Sequence, residues 1–203
     1  MRFSTVLLTA AAAALCVPAL AAQNATTSTT TTTEKPKPTI NQRRENQQQR
    51  IGNGIENGSL TSAEAARLEH KEAKINEEIH EMKSDGTFTA QERAKVQKQQ
   101  SAVSKSIYVQ KHDAQNQNLD PKSEVGQRQL NQQQRIADGV QNGSLNAREA
   151  ARMEARETAV NKEIRKDRRD GGGMTNAERA KINRQQNRNS TAVYRQKHDR
   201  QHR

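Results

Sequence analysis

Apolar residues recur along the chain at helical spacing in six segments. In the second segment Leu68, Ile75, Ile79 and Met82 are separated by seven, four and three residues, which places them on one stripe of an α-helix. Comparable stripes, bounded by glycines and cap residues, predict helices over residues 41–56, 62–84, 90–112, 124–141, 147–169 and 176–198. The stripes are narrow, which is typical of helical hairpins and loose three-helix bundles.

The predicted helices form two copies of one design, about 85 residues apart. The segment NQQQRI at residues 46–51 recurs at 131–136, and NGSL at 57–60 recurs at 142–145. The later segments of the second copy are shifted by one more residue because that copy carries an extra glycine. Self-similarity at a fixed period indicates a repeated structural unit.

We therefore predict an all-α fold of two tandem three-helix modules of narrow hairpins, residues 40–120 and 121–203. A Thr-rich and Pro-containing segment at residues 23–39 precedes them, and this composition predicts a disordered linker. In the second module Asn189 replaces Val103 of the first, so the polar residue is expected to weaken that apolar seam.

The turns between helices repeat one pattern of residues. In the first turn Gly58 can adopt the left-handed conformation that ends a helix, and Thr61 can cap the next helix. Glu64, three residues after Thr61, can accept a hydrogen bond from the backbone amide of that cap residue. Each cap contributes ~1 kcal/mol of stability. The same arrangement of apolar, cap and acidic residues recurs at Phe88/Thr89/Glu92, Leu145/Asn146/Glu149 and Met174/Thr175/Glu178.

Residues 1–22 have the pattern of an export signal. A positively charged start with Arg2 is followed by an Ala-rich apolar run, and small residues near its end predict cleavage after Ala21 or Ala22. The apolar run is too short for a transmembrane span. Cys16, the one cysteine of the chain, lies in this segment, so the processed protein would lack disulfides and thiolate ligands. The predicted location is secreted or periplasmic.

Composition excludes a large buried core. After residue 22 the chain has 22 Leu, Ile, Val and Phe residues, which is about 12% of the remaining 181, and Gln is equally common. The aromatic residues of this part are Phe88, Tyr108 and Tyr194. Specific nucleic-acid binding is not expected, since aromatic side chains on which bases could stack are scarce.

The charge of the two copies differs. Residues 40–120 carry 12 Lys/Arg and 12 Asp/Glu, whereas residues 121–203 carry 19 Lys/Arg and 10 Asp/Glu. A basic excess of this kind favours an anionic partner for the second copy. The candidate polyanion-binding residues are Arg148, Arg152, Arg156, Arg165, Lys166, Arg168, Arg169, Arg184, Arg188 and Arg195. Export favours anionic envelope or extracellular polymers as partners, with solubility of a chain that has little core as the alternative role of the charge.

The glycine turns resemble the second half of a calcium-binding EF-hand loop, which supplies oxygen ligands at positions 1, 3, 5 and 12. In the first turn Asn53, Asn57 and Glu64 fall at positions 1, 5 and 12, but Ile55 at position 3 cannot bind an ion. This resemblance implies weak calcium binding as an alternative function, and no other cofactor is expected. Its candidate ligands are Asn53, Asn57, Glu64, Asp85, Glu92, Asp138, Asn142 and Glu149.

A wider pattern joins residues 85–89, Glu92-Arg93, Ile107-Tyr108 and Lys111-His112-Asp113. It resembles a group of small exported bacterial helical proteins of unassigned activity, and the resemblance implies export and helices. His and Asp can bind metal or transfer protons, but the Lys-His-Asp triplets end predicted helices, where basic residues complement the helix dipole. No pattern predicts an enzyme. A further alternative function is a structural or stress-related spacer, and self-association is a further possible interaction.

Overall fold

The computed structural model describes residues 37–169 and 173–199, which belong to one compact unit. This part of the chain contains six α-helices: α1 (Ile40–Glu56), α2 (Ser62–Met82), α3 (Ala90–Lys111), α4 (Glu124–Asn142), α5 (Ala147–Arg169) and α6 (Asn176–Lys197). The predicted all-α fold is confirmed, and each predicted helix boundary lies within two residues of the observed one. The predicted signal peptide and residues 23–36 of the predicted linker lie outside the described residues.

The helices begin and end where the turn pattern predicts. A capping box starts α2, since the Glu64 carboxylate accepts a hydrogen bond from the Thr61 backbone amide at 2.9 Å and the Thr61 hydroxyl accepts one from the Glu64 amide. The same box starts α3 and α6, and α1 has one in which Gln42 takes the place of the glutamate. The turn glycines are left-handed, with φ of 73° at Gly58, 82° at Gly86, 79° at Gly143 and 72° at Gly173.

The two repeats pack against each other and share the larger of two buried apolar clusters, while the smaller cluster, of Val125, Val160, Ile164 and Ile182, belongs to the second repeat alone. The most extensive helix pairs are α2 with α5 and α1 with α4, while α3 packs on α1 and α2, and α6 packs on α4 and α5. Side-chain hydrogen bonds join α1 to α4, from Gln141 to Asn53 and Glu56 at 3.1 Å each and from Gln134 to Glu56 at 3.4 Å. The shared cluster takes buried residues from both copies, including Ile51, Ile55, Leu60, Leu68, Ile136, Val140, Leu145 and Met153.

Glycine lets α1 and α4 approach closely. A Cβ atom added at Gly52 would lie 2.5 Å from Cγ of Gln141 and 3.3 Å from the carbonyl oxygen of Ala137. Any larger residue at position 52 would therefore displace the Gln141 side chain and crowd the Ala137 carbonyl. This close contact joins the two repeats at the middle of the fold.

Glutamine side chains connect the helices of each repeat. The Gln47 side chain of α1 donates hydrogen bonds to the carbonyl of Gln100 (2.6 Å) and to the Ser104 hydroxyl (3.0 Å), both on α3. Gln100 returns a 2.9 Å bond to the carbonyl of Ile40. The second repeat has the same pair of bonds, from Gln132 to the Gln186 carbonyl and from Gln186 to the Val125 carbonyl. The repeated NQQQRI segment thus anchors the first helix of each repeat to the third.

Besides the cap residues Glu64 and Glu149, four glutamates are buried among the central helices, two from each repeat: Glu69 and Glu72 of α2, and Glu154 and Glu157 of α5. Glu69 accepts a hydrogen bond from Gln48 at 2.9 Å, and Glu154 accepts one from Gln133 at 3.2 Å. These equivalent bonds connect the second helix of each repeat to the first.

Asn189 also contributes to the buried polar contacts. Its side chain is buried and donates a hydrogen bond to Glu157 at 3.1 Å. The polar residue that the sequence places in the apolar seam of the second repeat is therefore paired with a buried carboxyl. A paired polar group costs much less stability than an unpaired one.

Burial controls the ionisation of three of the buried glutamates, Glu72, Glu154 and Glu157. Burial raises the pKa of Glu154 to about 8 and that of Glu157 to about 7, although hydrogen bonds from Gln133 and Asn189 act in the opposite direction. Burial likewise raises the pKa of Glu72 to about 7 against the attraction of the Arg44 guanidinium. Removing a carboxylate from water without a full set of partners favours its neutral form.

We expect the fold to lose stability as the pH rises. Because the folded-state pKa values of these three carboxyls exceed the ordinary value of 4.5, the folded state binds more protons than the unfolded state between pH 4.5 and about 8. Their contribution to the free energy of unfolding is complete below pH 4.5 and is lost as the pH rises through 7 to 8. Glu72 and Glu157 each contribute on the order of 3 kcal/mol to this change in the free energy of unfolding, and Glu154 acts in the same direction. Thermal unfolding followed by circular dichroism from pH 5 to pH 9 measures it.

The double variant Glu154→Gln and Glu157→Gln removes two of the titrating groups while keeping their hydrogen-bonding capacity. We expect its melting temperature to change much less between pH 5 and pH 9 than that of the parent protein. Glu77→Gln is the control, because Glu77 lies on α2, which packs against α5, but its side chain is exposed. An equal pH dependence in the parent and the double variant would contradict this explanation.

Gln47 and Gln49 provide a second test of the polar core. Gln47 is 2% exposed and makes two hydrogen bonds to α3, whereas Gln49 is exposed and donates a hydrogen bond to Asn53 of its own helix. We expect Gln47→Ala to lower the free energy of unfolding by about 2 kcal/mol. Gln49→Ala should change it by less than about 0.5 kcal/mol. Urea titration measures both, and equal effects would show that burial and the bonds to α3 give Gln47 no larger contribution to stability than that of exposed Gln49.

Candidate anion-binding surface

The ten basic residues that the sequence singles out are all exposed. Arg148, Arg152 and Arg156 follow one another at four-residue spacing on α5, so they lie along one side of that helix. The Arg148 guanidinium pairs with Glu77 of α2 at 3.0 Å, an ion pair that joins the two repeats at the surface.

The structure brings five of the ten predicted residues to two adjoining grooves. The α5–α6 groove, of about 670 Å³, is lined by Arg152 and Arg156 of α5 and by Arg188 and Arg195 of α6. Arg152 also lines a second groove, which contains Arg148 as well. Four exposed guanidinium groups around one groove create a strongly positive local potential.

The glutamates of α5 do not neutralise this surface. Glu154 and Glu157 are 0% and 1% exposed, and both lie in the core described above. Glu163 pairs with Lys181 near the far end of α5, and this ion pair lowers the pKa of its carboxyl. The alternation of acidic and basic residues in the sequence of α5 therefore becomes a separation of acidic and basic sides in the folded helix.

Sequence reasoning missed four basic residues of the first repeat. Arg67, Lys71, Lys74 and Lys105 line the second groove together with Arg148 and Arg152. All four are exposed, and their positive charge lies beside that of α5. Because residues 40–120 have a net charge of zero, the sequence did not indicate a basic surface in the first repeat. The duplication was the available signal, because Arg67 and Lys71 are the repeat equivalents of Arg152 and Arg156.

The other predicted basic residues lie away from these two grooves. Arg165, Lys166 and Arg169 form a separate cluster with Lys162 around a small depression of about 310 Å³ at the end of α5. Arg168 lines a cavity beside residues 115–120, together with Arg165. Arg184 is exposed on α6. The predicted set thus divides into one extended surface and a separate basic helix end.

The candidate calcium ligands of the α1–α2 and α4–α5 turns form hydrogen bonds that cap helices or close the turns. The Glu64 and Glu149 carboxylates accept hydrogen bonds from the backbone amides of Thr61 and Asn146, each at 2.9 Å. Asn57 and its equivalent Asn142 accept bonds from the amides two residues later, also at 2.9 Å. Ile55 and Val140, at the third loop position, are buried in the core.

The remaining candidate ligands are also hydrogen-bonded. Glu92 caps α3 by accepting the Thr89 amide at 2.8 Å, and Asp85 accepts the Thr87 amide at 2.9 Å, which lowers the pKa of Asp85. Asn53 accepts a bond from Gln141 at 3.1 Å and Asp138 accepts one from Gln134 at 3.0 Å. Within residues 37–169 and 173–199, no three or more His, Cys, Asp or Glu side chains lie together as a metal site. Calcium binding stays a prediction.

The Lys-His-Asp triplets end helices in the structure. His112 is the C-cap residue of α3, its ring stacks on Tyr108 with centroids 4.2 Å apart, and its Nδ1 lies 2.7 Å from the Tyr108 carbonyl oxygen. Lys111 donates a hydrogen bond to the Arg50 carbonyl at 3.4 Å. The second triplet repeats the stacking of His198 on Tyr194. Tyrosine and histidine therefore fold back over the last turn of each third helix.

Comparison of the chain with protein-family models, with curated proteins and with solved structures finds no match. Among the described helices, none is both long enough and apolar enough to cross a lipid bilayer. Function is therefore inferred from the geometry and charge of the surface.

The capping role of the turn glutamates can be tested at Glu92. We expect Glu92→Ala to lower the free energy of unfolding by about 1 kcal/mol, because the Thr89 amide loses its acceptor. Glu92→Gln should retain most of the stability, since Gln42 forms the equivalent capping box on α1. Urea titration distinguishes the two variants. Equal losses in both would indicate that the charge of Glu92, rather than its hydrogen bonds, matters.

Proposed function

We propose that this chain is an exported, non-enzymatic helical module that binds anionic envelope or extracellular polymers. The observation that carries the proposal is the α5–α6 groove, in which four exposed arginines from two helices converge. The first 22 residues, with their pattern of an export signal, support a secreted or periplasmic location.

The choice of basic residue supports an anion-binding role. Arginine carries a planar group of five donors that matches sulfate, phosphate and carboxylate groups, and it remains charged at any physiological pH. The four groove positions are all arginine, whereas the first repeat has Arg67, Lys71, Ala102 and Val109 at the equivalent places. The second repeat therefore carries more positive charge than the first at the two α6 positions of this groove.

The packing of the repeats extends the surface. Because α2 lies against α5, the basic residues Arg67, Lys71 and Lys105 of the first repeat adjoin Arg152. An extended anionic chain bound in the α5–α6 groove could also contact these exposed basic residues without entering the apolar part of the second groove, and several simultaneous contacts raise the overall affinity above that of any single contact. This explains why a polymer fits the surface better than a single small anion.

Salt-dependent retention on immobilised heparin tests the proposal. Replacement of two groove residues, Arg188→Gln with Arg195→Gln, should lower the salt concentration of elution markedly, because counterion release scales with the number of anionic groups that the protein neutralises. The control Lys98→Gln with Lys122→Gln removes the same charge at exposed positions outside the grooves. Elution that shifts equally in both double variants would show that net charge, and not the groove, determines retention.

A further inference from the structure

The groove between α2, α3 and α5 has a chemistry different from that of the α5–α6 groove. It encloses about 1390 Å³, and most of the surface that lines it is apolar. Its apolar lining includes Ala66 and Ala73 of α2, Ala102 and Val109 of α3, and Ala151 and Ala155 of α5. Residues seven or four apart on each helix share a face, so each helix presents a strip of small apolar side chains to the groove.

Charge surrounds this apolar lining on several sides. The basic residues of the groove are Arg67, Lys71, Lys74, Lys105, Arg148 and Arg152, and all are exposed. The one acidic residue of the lining is Glu77, which pairs with Arg148. An occupant of this groove therefore needs an apolar side and negatively charged flanks.

We propose that the α2–α3–α5 groove docks an acidic amphipathic helix of a partner protein. Binding of such a helix in a groove uses apolar side chains at positions i, i+3, i+4 and i+7. Small groove residues allow the axes of packed helices to approach within 8–10 Å. Aspartate and glutamate on the flanks of the docked helix would meet the lysines and arginines that surround the groove.

The dimensions of the groove fit a helix. The groove extends along α2 from Ala66 to Glu77, a distance of roughly 16 Å, which equals about three helical turns. A helix of that length and about 10 Å in diameter occupies a volume close to that of the groove. The alanine and valine side chains offer no hydrogen bonds, which a polar polysaccharide would need from the same surface.

Divergence of the two repeats makes this inference independent of polymer binding. The equivalents of Ala102 and Val109 in the second repeat are Arg188 and Arg195, which line the α5–α6 groove. The groove of the first repeat therefore has apolar residues on α3, and the groove of the second repeat has arginines at the equivalent positions on α6. The two grooves adjoin at Arg152, but the residues that distinguish them do not overlap.

Fluorescence anisotropy with a labelled 14-residue peptide tests the proposal. The probe carries leucine and alanine on one face and glutamate on the other, and two control peptides have a scrambled sequence of the same composition or lysine in place of glutamate. We expect the full-length processed protein to bind the probe at least tenfold more tightly than either control. Equal binding of the scrambled peptide would overturn the proposal, because charge alone would then explain the binding.

Substitutions in the groove locate the binding site. Ala102→Glu with Ala155→Glu introduces two acidic groups at exposed groove positions, and we expect at least a tenfold loss of affinity for the probe. Ala94→Glu with Ala159→Glu places the same groups on exposed alanines of the same helices outside the groove, and should change affinity less than twofold. Circular dichroism checks that all variants remain helical. Equal losses in both double variants would contradict docking in this groove.

Two further measurements separate this proposal from polymer binding and from a lipid surface. Arg188→Gln with Arg195→Gln should weaken heparin retention while leaving affinity for the probe within twofold, so the two functions can fail separately. Sedimentation with vesicles of phosphatidylglycerol and phosphatidylcholine tests the lipid alternative. Vesicle binding that depends on Ala102 and Ala155, without binding of the probe, would refute docking of a protein helix.

Discussion

Hydrogen bonds that buried polar side chains make between helices specify how this chain packs. With few large apolar residues, the helices meet through buried glutamine, glutamate and asparagine side chains, of which Gln47, Gln100 and Glu154 are examples. Each of these residues bonds to a neighbouring helix, so the contacts are directional and specify which helices meet. An apolar core of the same size would bury its surface equally well in several arrangements.

Burial of the polar side chains also links the stability of the fold to protonation. Glu154 and Glu157 lie near each other on α5 with few donors around them, so burial raises the pKa of both carboxyls and they retain protons well above the usual range. Enclosing these acids inside the protein also removes negative charge from the outside of α5. The orientation of α5 therefore has two effects: it places glutamates in the core and leaves arginines on the surface.

The surface of the two repeats differs in the residues at equivalent positions. Both repeats form a groove between their second and third helices, but Ala102 and Val109 make one apolar, whereas Arg188 and Arg195 make the other basic. The second helices of the repeats lie against each other, which places the two grooves side by side. The proposals for an anionic polymer and for an acidic helix follow from these two chemistries on adjoining surfaces.

The sequence by itself determined the helices, because the turn glycine, the cap residue and the glutamate act within a few residues of one another, as at Gly58, Thr61 and Glu64. It also identified the arginines of the second repeat. Only the tertiary structure decided that α2 lies against α5, which adds Lys71 to the basic surface and buries Glu154. These outcomes depend on contacts between residues about 85 positions apart, and a pattern along one helix cannot show which of its polar residues another helix will cover.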